Sequence, residues 1–159
     1  MKNQKTLVIA AVIIVVVIAL AAYTMLQGEG EVRVEDTKAI YTGSVIGVYG
    51  SIINGTDNTV CIESLLVAEN VGADLTATIH KTVEENGVVR MIPAGPICIE
   101  AGETFELAPG PGNHHIMISG DKNALRQVVG DNVVELVLKL DNGSELLVKA
   151  IVSTPGSGS

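Results

Sequence analysis

Positive charge is scarce in this 159-residue chain: ten Lys and Arg stand against eighteen Asp and Glu, for a formal net charge of −8. Lys2 and Lys5 precede a long apolar run, so the part beyond that run holds eight basic residues against eighteen acidic ones, a charge of −10. Nucleic acid is excluded as a partner, because phosphate binding relies on clustered Lys and Arg. A metal ion or a cationic partner suits such a charge better, and so does a plain solvated acidic surface. Cysteine is equally sparse. Cys61 and Cys98 are 37 residues apart and not in a Cys-x-x-Cys motif, which argues against thiol redox catalysis and against a cupredoxin electron-transfer centre, where one Cys joins two His. There is no P-loop, no Ser/His/Asp arrangement and no paired-carboxylate motif, so the chain does not read as an enzyme.

Long apolar runs are confined to the beginning. Residues 7–26 are uncharged and rich in Val, Ile and Ala, and about 20 such residues make a helix long enough to cross a bilayer. Lys2 and Lys5 before the run, with Glu29 and Glu31 after it, place the short N-terminus in the cytoplasm and the remainder outside. Cleavage as a signal peptide is the alternative, since Ala19-Leu20-Ala21 has the small-x-small form of a processing site. Both readings make the domain extracytoplasmic, either tied to the cell membrane by a single span or secreted. The chain then divides into an anchor or signal over 1–26, a polar acidic linker over 27–38, one β domain over 39–153 and a disordered tail over 154–159.

Beyond the linker, short β-branched runs recur between turn residues, at 46–53, 59–68, 75–83, 88–92, 97–100, 104–107, 115–119, 133–140 and 145–152. This spacing predicts an all-β sandwich or barrel. Asn54-Gly55, Asn86-Gly87 and Asn142-Gly143 read as hairpin turns, and 124–129 as a single helical turn. The sequons Asn54-Gly55-Thr56 and Asn142-Gly143-Ser144 are accounted for by the same turns. In an exported domain, two cysteines in β runs are expected to pair, so Cys61–Cys98 is read as a disulfide, with two separate buried thiols as the alternative.

Four side chains stand out against this background. His80 falls on the polar face of its strand, alternating with Ile79 and Val83. A four-residue loop over 84–87 sets His80 directly across from Met91; a two-residue turn at Asn86-Gly87 makes the pair diagonal, on the same face. His115 and Met117 are two apart and share a strand face, with Ile116 and Ile118 on the other. Core packing explains a lone strand Met, and surface placement a lone His. Two His–Met pairs together point to a soft metal such as Cu(I), because hard cations take oxygen and zinc favours thiolate, imidazole and carboxylate.

The stretch 47–152 resembles the PCu(A)C family of extracytoplasmic copper chaperones, whose hallmark is His, ten residues, Met, about twenty-one residues, then His-x-Met. Ten residues separate His80 from Met91, and twenty-three separate Met91 from His115. The surplus falls in Pro109-Gly110-Pro111-Gly112-Asn113. Gly47-Val48-Tyr49, Glu85-Asn86-Gly87-Val88, Ile99-Glu100-Ala101-Gly102, the run from Glu106 to Gly110, and Gly130-Asp131-Asn132-Val133 follow in the family's order. The resemblance implies a cupredoxin-like Greek-key β-sandwich, here preceded by one N-terminal transmembrane helix. It also implies one Cu(I) held by His80, Met91, His115 and Met117. His114 is a second candidate for the place of His115. Delivery to an extracytoplasmic copper acceptor is implied too, notably the CuA centre of a haem-copper oxidase subunit. The chain departs from the family at Lys81, where members often carry Met, in the longer loop, and in a tail without His or Met. Without metal function, the chain reads as a membrane-anchored β-sandwich interaction or assembly module.

Overall fold

Alternation of apolar and polar residues dominates the sequence after residue 30, and it folds into strands whose apolar sides meet. The computed structural model describes residues 30–68 and 74–154. Its elements are β1 (Val32–Tyr41), β2 (Ile46–Asn54), β3 (Val60–Val67), β4 (Leu75–Glu85), β5 (Val88–Pro93), β6 (Ile97–Ile99), β7 (Thr104–Leu107), β8 (His114–Gly120), α1 (Lys122–Asp131), β9 (Val133–Leu140) and β10 (Glu145–Ser153). The strands form one sheet in the order β5-β4-β8-β7-β2-β1-β10-β9-β3-β6. One core gathers their inward residues, among them Ile46, Val48 and Ile52 of β2, Ile79 of β4, Ile116 and Ile118 of β8, and Leu136 and Leu138 of β9. The all-β expectation therefore holds. The apolar run over 7–26 lies outside the described residues, and among the described residues no helix is long and apolar enough to cross a membrane.

Three local expectations change. The linker read over 27–38 gives way from Val32 onward to β1, which pairs antiparallel with β2 and parallel with β10. Val32 and Val34 alternate with Arg33 and Glu35, but a register shift between Glu35 and Lys38, with Asp36 at φ 54, breaks the period. The helical turn read over 124–129 is the ten-residue α1. Asp121 caps it by accepting from the Asn123 and Ala124 amides, at 2.8 and 3.0 Å, and Asn132 ends it in the left-handed region.

Asn54-Gly55 is no hairpin either, for β2 and β3 are not neighbours in the sheet. Asn54 is fully buried, and its side-chain amide donates to the carbonyls of Asn58, Ile99 and Glu100 at 2.7, 2.9 and 3.1 Å. Its side chain thus fastens the end of β2 to the segment after β6, a position closed to glycosylation. Asn86-Gly87 and Asn142-Gly143 do join consecutive paired strands, β4–β5 and β9–β10. Cys61 and Cys98 are direct cross-strand partners on β3 and β6, and a disulfide joins them.

Candidate metal site

Strand register decides which side chains can meet. β4 and β8 run antiparallel with His80 opposite His115 and Thr78 opposite Met117, so all four residues share a face, the one opposite Ile79, Ile116 and Ile118. The two imidazoles lie side by side, ring centroids 6.1 Å apart and planes inclined by 24°. They are also sunk into the protein, His80 at 8% exposure and His115 at 4%. Both belong to the polar stripe of their strands, yet both are covered.

Met91 comes in from the edge. Asn86 and Gly87 take φ values of 53 and 76, a pair of positive angles that suits a two-residue hairpin turn, and Glu85 accordingly pairs with Val88. That register sets Thr82 opposite Met91 and Pro93 opposite His80. Direct opposition of His80 and Met91 is therefore replaced by the diagonal arrangement, and both side chains remain on one face. Met117 lies one row to one side of the histidine pair, and Met91 one row to the other. Met91 is 58% exposed on β5, the edge strand, whose residues are all exposed.

The donors present fit a soft ion. Metal–imidazole bonds of about 2.0–2.1 Å put a metal roughly 3 Å from the ring centroid, in the ring plane, so rings with centroids 6.1 Å apart are near enough to hold one ion when a nitrogen of each is turned to it. The Thr78 hydroxyl lies 3.2 Å from His80 Nδ1. With the Nδ1 proton donated to Thr78, His80 presents the lone pair of Nε2 for ligation, the arrangement in which an outer hydrogen bond fixes the ring of a metal-binding His. Among the described residues no group of three or more His, Cys, Asp and Glu could hold a metal ion. Thioethers are thus the donors left beside the two imidazoles, and they favour Cu(I).

His114 takes no part in this face. It is paired with Lys81 across the strands, and its ring packs 5.0 Å from Phe105. The longer preceding loop therefore leaves His115, not His114, beside His80. Burial lowers the His115 pKa, and positive charge on His80 and then His114 lowers it further. Burial and then Lys81 likewise lower that of His114. A lowered pKa keeps His115 neutral, the form that binds metal, to lower pH than usual.

Thr78 and Tyr49 are the neighbours that sequence reasoning left without a role. Thr78 was visible as a polar-face residue two before His80. Tyr49 comes from β2, and its ring lies 6.1 Å from that of His115; no local spacing could signal a partner so distant in the chain.

Comparison with known proteins places the fold. The PCuAC domain of PmoF1, in its apo form, superposes with a TM-score of 0.57 at 19% identity, over 80% of this chain and 97% of that one. The copper-bound PCuAC domain of PmoF2 superposes with a TM-score of 0.55 at 15% identity, over 80% and 97%. The two share this chain's fold. No curated protein matches the sequence. Residues 31–152 match the family described as "Putative lipoprotein LpqE-like", and the match takes in β1 to β9, all but the last residue of β10, and all the candidate ligands. The chain therefore belongs to the LpqE-like family and carries the fold of PCuAC domains.

Proposed function

We propose that the protein binds one Cu(I) through His80, His115 and Met117, with Met91 as an exposed fourth ligand, and passes the ion to an extracytoplasmic acceptor. The buried cross-strand pair His80–His115, with Met117 on the same face, is the observation that carries this reading. The copper found in the related PmoF2 domain supports it. All four ligands are neutral, and the two cysteines are joined to each other, so copper is held without thiolate in a compartment where thiols oxidise. Transfer proceeds by ligand exchange, with no change in oxidation state and no catalysed reaction. Met91, the exposed member, is the natural first ligand to leave.

The acceptor is a protein with its own soft or imidazole ligands, such as the CuA site of a haem-copper oxidase. The apolar run over 7–26 anchors the domain outside the cytoplasm.

Anaerobic Cu(I) titration of the full chain in detergent tests the proposal. One equivalent should bind tightly, and Met117→Ala should weaken Cu(I) far more than Zn(II). Equal Cu(I) affinity in wild type and Met117→Ala would remove the assignment. One observation favours an interaction module instead: Leu66, Leu147 and Ile151 are exposed on β3 and β10, with Leu66 and Leu147 flanking Val137 in one row. That reading gains if the full chain binds no copper.

A further inference from the structure

The face that carries the histidines is bounded on its β2 side by a residue pair with no assigned role. Gly47 of β2 pairs with Met117, and Val48 with Ile116, so Gly47 and Tyr49 lie on the face of Met117 and His115. The Tyr49 ring stands beside that of His115, with centroids 6.1 Å apart. Its hydroxyl folds back along the strand over Gly47, where a Cβ would come within 2.7 Å of the phenolic oxygen. The ring therefore spans from the His115 row to the Met117 row, and it can lie there because position 47 has no side chain. Among the described residues no such cover lies at the opposite edge, where every residue of β5 is exposed.

Resting on the copper-binding reading above, we infer that Tyr49, seated by Gly47, is a wall that closes the site on the β2 side and leaves the Met91 edge as the route by which Cu(I) enters and leaves. Both are positioning residues. The phenol lies alongside the ligand rows and keeps water, oxygen and competing ligands from reaching the ion between His115 and Met117. Any side chain at position 47 displaces the ring and opens that flank.

The test follows Cu(I) loss from the loaded full chain to a chromophoric Cu(I) chelator under anaerobic conditions, together with the bound stoichiometry. Tyr49→Ala and Gly47→Ala should each keep one copper per chain yet release it about tenfold or more faster, the scale on which changes outside the ligand set alter metal sites. Tyr49→Phe keeps the ring and should release copper at a rate nearer wild type than Tyr49→Ala. A second readout does not require the alanine variants to fold. The chain has three tyrosines and no tryptophan, so tyrosine emission should change when Cu(I) binds, and Tyr49→Phe should abolish that change. Wild-type release rates in both alanine variants, or an undiminished emission change in Tyr49→Phe, would overturn the wall while leaving copper binding intact. Failure of the wild-type chain to take up Cu(I) would overturn the copper reading itself, and the wall with it.

Discussion

At the scale of single residues, the site depends on neighbours as much as on ligands. The Thr78 hydroxyl is a hard oxygen donor that a soft ion such as Cu(I) does not favour, but it orients His80 through Nδ1. Thr78→Val keeps the shape and removes that partner. Cu(I) affinity should fall by about 10- to 100-fold, the usual cost of losing a hydrogen bond behind a metal-binding His, while far-UV circular dichroism stays that of the wild type. His115 leads to a pH prediction. Its folded pKa lies below the ordinary histidine value of 6.5 through burial and then the charges of His80 and His114, so on acidification the unfolded chain takes up this proton first. Its contribution is therefore complete above about pH 6.5 and is lost as pH falls towards the lowered folded value. Thermal unfolding of the apo protein should show stability declining through that window, with a smaller decline in His115→Gln. Equal pH dependence in the two proteins would refute the assignment to His115.

Secondary-structure elements show where sequence patterns carry enough information and where they do not. Nine predicted runs became β2 to β10 with no end displaced by more than two residues, since alternation and β-branched content act locally. β1 escaped notice because its bulge interrupts the alternation and its partner β10 lies more than a hundred residues away in sequence. The length of α1 was concealed because its apolar residues span only 124–129, whereas its ends are set by the caps Asp121 and Asn132. Of the site, the two same-face pairs were legible from spacing of two. Their meeting depends on the β4–β8 register and Met91's diagonal place on the Asn86-Gly87 turn, which are tertiary facts. The disulfide between β3 and the three-residue β6 should matter most to stability at this level. Replacing both cysteines by Ser should cost roughly 2–4 kcal/mol, measured by denaturant unfolding, with Cu(I) stoichiometry unchanged because neither sulfur belongs to the site. Asn54→Ala should cost about 1–3 kcal/mol by removing the side-chain donor to the buried Ile99 carbonyl.

For the whole molecule, the proposed copper binding and the fold are coupled. An ion that binds only the folded chain stabilises it by about 2.7 kcal/mol when its free concentration is a hundred times Kd. Cu(I) should therefore raise the unfolding temperature of the wild type, and Mg(II), a hard ion, should leave it unchanged; calorimetry that finds no Cu(I)-dependent shift would contradict a shared site at His80 and His115. The sheet register also serves as a ruler. Val32, where the domain's first strand begins, pairs with Asn54, whereas Gly47 at the other end of β2 pairs with Met117. Seven residues of extended strand cover about 23 Å. The start of the domain's first strand and the Met117 row thus stand at opposite ends of β2, so a change made at Val32 is felt at the candidate ligands only through the whole length of that strand.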